Sequence, residues 1–264
     1  MDEHKRFGGL NYDVLARTYD RRYEKDDYSG VEEALTAFVG KTPDGWLLEV
    51  GCGTGHWLRM LGDRGARAAG VDSSRAMLRH AAVQAPRARL AQGRAEQLPW
   101  ADAVFDRLFC VNAFHHFEDK AAFLSDARRV LRPDGQLMII GLDPHTGLDT
   151  WYVYEYFEAV LAIDRRRYPG TGQICDWMQG LGFTNVRTWQ VQHLPDRQPV
   201  RDAIEQGRLH QHSKSQLAVL TDPEYQQGLD RIYADLVRAE AEGRTLYLRS
   251  DLRLYATCGS IPPA

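Results

Sequence analysis

A chain of 264 residues with a formal net charge of −3 and 44% hydrophobic residues can build a core that needs no disulfide or metal. The slightly acidic balance argues against a duplex nucleic-acid partner, because phosphate binding needs a basic footprint. The four cysteines, Cys52, Cys110, Cys175 and Cys258, lie far apart. They read as reduced, apolar side chains of a cytoplasmic protein, not as a disulfide frame or a zinc site. The polar start MDEHKRFGGL is no secretory signal. No apolar run approaches the ~20 residues of a membrane span.

Residues 1–45 are polar and aromatic, with Tyr12, Tyr19, Tyr23 and Tyr28 spaced along them. An amphipathic helix is expected over 31–39, stopped by Gly40 and Pro43. Trp46 to Val50 is apolar except at Glu49, the mark of a strand buried on both faces. Helical spacing follows over 56–61, and a second strand is expected over 66–71. Asp72, Ser73 and Ser74 then precede the helical stretch from Arg75 to Gln84, and any of them suits an N-cap. Further strands are expected over 88–91, 104–111 and 136–141. A helix over 119–131 lies between the last two, closed by the turn Pro133-Asp134-Gly135. Strand and helix alternating in this way imply a parallel sheet with helices on both faces. Beyond 145 the pattern loosens. Helices are expected over 150–166 and 173–181, a strand over 185–191, a polar helical stretch over 199–242 and a last strand over 246–258.

Gly51, Gly53 and Gly55 alternate between the first strand and its helix. Glycine removes the Cβ and permits positive φ, so the backbone can pass against a ligand at the carboxyl end of the sheet. A dinucleotide fingerprint would put its third glycine where His56 stands, and a phosphate loop would end in Gly-Lys-Ser/Thr. Neither fits. Asp72, 17 residues beyond Gly55, ends the second strand. There it can accept from both hydroxyls of a ribose or cap the next helix.

With LEVGCGTG at 48–55, GVDSSRAML at 70–78, FDRLFCVNAFHHFED at 105–119 and RVLRPDGQLMII at 129–140, the chain resembles the class I S-adenosylmethionine-dependent methyltransferases. It looks most similar to the small-molecule enzymes that include the ubiquinone and menaquinone C-methyltransferases. The resemblance implies a doubly wound, Rossmann-like α/β fold with a seven-stranded sheet whose last strand is antiparallel, plus a helical cap. It divides the chain into an N-terminal helical cap (1–45), an S-adenosylmethionine-binding core (46–195), a helical lid (196–244) and the final strand (245–264).

The cofactor implied is S-adenosylmethionine, with S-adenosylhomocysteine as product, and the partner is a small organic acceptor methylated at O, N or C. Gly51, Cys52, Gly53 and Gly55 would pass beneath the methionine portion and Glu49 would face its amino group. Asp72 would hold the ribose, with Ser73 and Met77 beside the adenosine. Gly93, Ala95 and Glu96 would line the adenine edge, and Asn112 would lie by the sulfonium. Tyr19 would close over the methionine end. One position departs from the pattern: relatives often carry an acid where Arg94 stands, and arginine is a donor only. Either Glu96 or backbone carbonyls would then meet the adenine amine.

Methyl transfer from a sulfonium needs alignment above all, so no base is obligatory. His115 and His116, after the fourth strand, are the candidates for a base or substrate contact, or else pack against the core. Asp143 and His145 are possible substrate contacts. His210 and His212 lack a third ligand for a metal. Packing is the simpler role for Trp151, Tyr152, Tyr154, Tyr156 and Phe157, although with the N-terminal tyrosines they would suit an apolar roof. The rival readings are an enzyme acting on RNA or protein, and a non-catalytic cofactor-binding module.

Overall fold

The order in which strands pair decides where a crevice opens, and in this computed structural model it is β3-β2-β1-β4-β5-β8. The structure describes residue 23 and residues 26–40 and 45–264; Tyr12 and Tyr19 lie outside them. The strands of this path are β1 (Trp46–Val50), β2 (Arg67–Asp72), β3 (Arg89–Gln92), β4 (Phe105–Val111), β5 (Leu131–Leu142) and β8 (Tyr247–Ser260). The first five are mutually parallel, and β8 runs antiparallel to β5, with Leu142 opposite Leu254 and Gln136 opposite Ser260. From β1 the chain builds outward first through β2 and β3, then on the other side through β4 and β5. The connections therefore diverge at β1 and β4, and open α/β sheets bind ligands at that divergence, beyond the carboxyl ends of the strands.

Helices α1 (Ser29–Val39), α2 (His56–Asp63), α3 (Arg75–Gln84) and α4 (Lys120–Val130) belong to this part of the chain. Ser74 caps α3 by accepting from the Met77 N–H, and Asp119 caps α4 by accepting from the Ala122 N–H. The expected Pro-Asp-Gly turn is a bulge within β5. Asp134 takes a positive φ of 64°, and the β4–β5 register slips between Phe105 and Arg107. Buried Leu48, Val71, Phe105, Leu108, Phe123 and Ile139 are among the core residues of the sheet, which accounts for the unbroken apolar runs in the sequence.

The chain packs as two units. Of the described residues, the larger comprises those up to Asp143 together with Pro169–Gln192 and Leu254–Ala264; the smaller includes Pro144–Tyr168 and His193–Arg253. The helical insertion expected over 196–244 is thus one part of a unit that also takes in residues 144–168. The aromatic run belongs there. Instead of one helix over 150–166 it forms a two-residue strand β6 (Thr150–Trp151) and two short helices, α5 (Tyr152–Tyr156) and α6 (Ala159–Arg167). Helix α7 (Thr171–Gly180) and strand β7 (Thr184–Pro199) follow, the strand running well past the expected 185–191.

The expected helical stretch 199–242 resolves into α8 (Val200–Glu205), a 3-10 turn (Gln211–Ser213), α9 (Ser215–Ala218) and α10 (Asp222–Ala241). Among the described residues, β6 and β7 bring the sheet to eight strands, one more than expected. Trp151, Tyr152 and Phe157 are buried with Val160, Ile232 and Leu236 in the smaller unit's own core. Packing is therefore the role of these three aromatics. Asp164 is also buried there, bonded to the Tyr154 hydroxyl at 3.1 Å and paired with Arg167 at 3.3 Å. Among the described residues no helix is long and apolar enough to cross a membrane.

Candidate functional site

Residues at the ends of β1, β2 and β4 line a cleft of about 760 Å³ of open space in the larger unit. Gly51, Gly53 and Gly55 all have positive φ, at 72°, 51° and 83°, a region costly for residues with a Cβ. The Gly51 and Cys52 N–H groups donate to the Val71 carbonyl at 2.8 and 3.1 Å, which ties the loop across to β2. A Cβ on Gly51 would come within 2.6 Å of the Ala113 Cβ. Gly55 serves packing: it precedes α2 in the left-handed conformation, and its Cβ would press at 3.1 Å on Ala81 of α3. On the opposite wall Asn112 has a φ of 51° and donates its N–H to the Ile140 carbonyl at 2.8 Å. Asparagine tolerates this conformation better than most residues.

Val50, Gly51, Gly53, Val71, Asp72, Ser73, Met77, Gly93, Ala95, Glu96, Asn112 and His116 line the cleft, together with Arg94, Ala113, Phe117 and Glu118. Nine of the expected cofactor residues are therefore brought to one surface. Cys52 and Gly55 are not among the lining residues. The Cys52 sulfur packs toward Gly70, whose Cβ would lie 2.9 Å from it, and burial pushes its thiol far up, so it stays protonated. Glu49 lies beneath the loop, one residue before Val50. Tyr19 lies outside the described residues. Sequence reasoning missed Val50, Val71, Ala113, Phe117 and Glu118. All five lie inside the quoted motifs, at or near the strand ends or just past the histidine pair, where only the neighbouring residues had been given a role.

Two carboxylates dominate the electrostatics. Asp72 accepts from the Gly53 N–H and the Ser74 N–H, both at 2.8 Å. Capping of α3 falls to Ser74, so Asp72 is held at the cleft by the glycine loop. Burial raises its pKa, while the N–H groups of Ser74, Gly53 and Ser73 pull it down. Glu49 is 2% exposed, and its Oε2 has no hydrogen-bond partner among the described residues. Burial pushes its carboxyl well above the ordinary range, the Asp72 charge adds to that, and a bond from the Leu58 backbone opposes it. A buried acceptor with an open lone pair is costly, and it marks a place for a donor, best a cationic one. The cleft thus fits S-adenosylmethionine: a glycine floor, an acid at the second strand end, and behind the loop a buried carboxyl with one oxygen unpartnered among the described residues.

The histidine pair divides. His116 lines the cleft, whereas His115 is buried, with the two rings 3.8 Å apart. Asp143 does not serve as a free substrate contact. Its Oδ2 accepts from the Thr171 N–H at 2.8 Å and the Thr171 hydroxyl at 3.0 Å, fixing the start of α7. Asp143→Ala is expected to lower stability by about 1–3 kcal/mol without changing cofactor affinity, as read from urea unfolding and a binding titration. His145 Nε2 is bonded to the Tyr168 carbonyl at 2.8 Å. Among the described residues no group of three His, Cys, Asp or Glu side chains could hold a metal ion.

An open α/β sheet with a glycine loop after β1 and an acid after β2 defines a nucleotide-type binding protein. Residues 48–139 match the family model described as a methyltransferase domain, and this segment is similar to S-adenosylmethionine-dependent methyltransferases. It is 32% identical over 197 residues to a tRNA U34 carboxymethyltransferase of Pseudoalteromonas atlantica, covering 71% of this chain and 57% of that one. It is 33% identical over 93 residues to a probable S-adenosylmethionine-dependent methyltransferase of Mycolicibacterium smegmatis, covering 35% of this chain and 36% of that one. The chain thus spans well under two thirds of the length of these relatives. Among solved structures, a putative methyltransferase from an antibiotic biosynthesis pathway of Anabaena variabilis shares the fold. It has a TM-score of 0.64 and 20% identity, covering 86% of this chain and 96% of that one.

Proposed function

We propose that the protein transfers a methyl group from S-adenosylmethionine to O, N or C of a small organic acceptor by in-line displacement. The observation that carries this reading is the cleft lined by Gly51, Gly53 and Asp72, with Asp72 bonded to the glycine loop and Glu49 buried one residue before Val50 with its Oε2 unpartnered among the described residues. When bound, the cofactor supplies a methyl group already activated on a sulfonium. Binding and aiming are left to the chain. Gly51 and Gly53 give the methionine portion close backbone contact, and Glu49 takes its amino group. Asp72 holds the ribose hydroxyls, Ser73 and Met77 flank the adenosine, and Gly93, Ala95 and Glu96 line the base. Asn112 lies beside the sulfur. His116 faces the acceptor, where an imidazole nitrogen takes up the proton of a hydroxyl or amine as the new bond forms. Residues 1–45 and the helices of the smaller unit are assigned to acceptor selection.

A small acceptor is favoured because Asp72, Glu96 and Glu118 line the cleft in a chain of net charge −3, a setting that repels a polyphosphate backbone. A second reading, an RNA acceptor, is favoured by the kinship to tRNA U34 carboxymethyltransferases. Calorimetric titration with S-adenosylmethionine and S-adenosylhomocysteine tests the cofactor site. Methyl-transfer assays on a panel of phenols, amines and enols, run beside unmodified tRNA, separate the acceptors. Asp72→Asn keeps the size and one acceptor oxygen but loses the charge. It should weaken cofactor binding by about 1.5–3 kcal/mol, the scale of a hydrogen bond to a charged group; unchanged affinity would remove Asp72 from the ribose site.

A further inference from the structure

The smaller unit holds a hydroxyl that its own fold leaves unanswered. Tyr152 opens α5 and is 6% exposed. Its phenolic oxygen has no hydrogen-bond partner among the described residues. A buried polar group left in this way is costly, and native folds rarely keep one without a use. Burial holds the Tyr152 pKa well above the usual phenol range; the Arg208 charge pulls it down and the Asp196 charge pushes it up. The hydroxyl is therefore a donor at every ordinary pH, and it feels the charges of Arg208 and Asp196.

Two cations stand near this donor. Arg208 Nη1 pairs with Asp196 Oδ2 of β7 at 2.8 Å, and the Arg208 side chain is 24% exposed. A guanidinium carries five N–H donors in a planar fork, and the bond to Asp196 engages one of them. Lys214 Nζ lies 5.7 Å from the centre of the Tyr152 ring. Two cations against one carboxylate leave a single positive charge in excess. The loop that presents them is tied at several points. Gly207 turns it with a φ of 67°, and the Arg208 N–H donates to the Ala203 carbonyl at 2.9 Å. The Arg208 carbonyl accepts from the Ser213 hydroxyl at 2.8 Å and from Lys214 Nζ at 3.4 Å. The Tyr225 hydroxyl donates to the Leu209 carbonyl at 2.7 Å.

We propose that Tyr152, Arg208 and Lys214 form a recognition site for the carboxylate of a small organic molecule. All three belong to the smaller unit, and none lines the cofactor cleft. One carboxylate oxygen accepts from the Tyr152 hydroxyl and the other from the Arg208 fork, a charge-assisted bond. Lys214 adds the charge that balances the anion. Asp196 orients Arg208 and confines the site to monoanions, because a dianion would bring a second negative charge against it.

The test uses acetate, the smallest organic carboxylate after formate, and reads Tyr152 directly. In protein isotopically labelled at tyrosine Cζ, the Tyr152 resonance is the one lost in Tyr152→Phe. Exchange of chloride for acetate at constant ionic strength should move that resonance saturably. Acetamide, a neutral counterpart, should leave it in place, and phosphate as its dianion should bind at least about tenfold more weakly than acetate. Arg208→Met should weaken acetate binding by about tenfold or more, with a melting curve to show that the variant folds. Tyr152→Phe should melt no lower than the native protein, because it loses no bond. A Tyr152 resonance that ignores acetate, or answers acetamide or phosphate as readily, overturns the proposal. An acetate response undiminished in folded Arg208→Met does the same. So does a marked fall in the melting temperature of Tyr152→Phe, which would mean that the hydroxyl is bonded into the fold through water.

Discussion

Gly53→Val is expected to remove measurable S-adenosylmethionine binding, a loss of more than about 3 kcal/mol, or over a hundredfold. Gly53 lines the cleft with a φ of 51°, and its N–H reaches Asp72 Oδ2 at 2.8 Å. Valine at this position adds a branched side chain to the floor where the ligand backbone must pass. It also prefers extended φ and ψ, so the strained loop shifts and the Asp72 bond is weakened. The strain itself costs about 1–2 kcal/mol, a tolerable loss for a chain of this size. The melting temperature should therefore drop modestly while calorimetry records no heat of binding. Gly51→Val is a harsher change, because the Cβ meets Ala113 at 2.6 Å. It should lower stability as well as binding, and the contrast between the two variants separates a ligand contact from a packing contact. Binding of the cofactor by folded Gly53→Val with native affinity would take the loop out of the site.

Glu49→Gln should move stability and affinity in opposite directions. Burial and the Asp72 charge hold the Glu49 carboxyl well above its ordinary pKa of 4.5. For a group raised in the folded state, its contribution to stability is complete below its unfolded pKa, near 4.5, and is lost as the pH climbs through the folded value. The ligand-free native protein should therefore lose stability as pH rises above about 4.5, and Gln at this position should remove that part of the slope. The variant should melt higher than the native protein at pH 8, with a smaller difference at pH 5.

Cofactor binding reverses the balance. The amino group of S-adenosylmethionine would supply the missing partner for Oε2, draw the carboxyl into its charged form and release a proton. Affinity of the native protein should consequently rise with pH, and Glu49→Gln should bind about ten- to a hundredfold more weakly, about 1.5–3 kcal/mol. Titrations in two buffers of different ionisation enthalpy count the proton directly. A variant that binds as tightly as the native protein at every pH would mean that Glu49 is a buried structural acid.

The sequence determined most of the larger unit, because the signals there are local. A strand buried on both faces reads as an apolar run, as in Trp46–Val50 and Phe105–Val111. A loop that must adopt positive φ reads as glycine, and a helix start reads as Ser74 or Asp119. Gly51, Gly53, Asp72, Ser73, Met77 and Asn112 were legible for that reason, since each sits within three residues of such a signal and all six line the cleft.

What lies across space was not legible. That Asp72 bonds the glycine loop while Ser74 does the capping depends on a hydrogen bond spanning 19 residues. That Asp143 is engaged with Thr171, 28 residues away, turns a supposed substrate contact into a helix anchor. Residues 144–168 and 193–253 form one unit because apolar faces from separate stretches bury one another, and no periodicity within either stretch states its partner. The sequence alone established the class of cofactor through the short-range pattern of LEVGCGTG and Asp72. The tertiary structure decided which carboxylates remain available to it, because availability depends on partners brought from elsewhere in the chain.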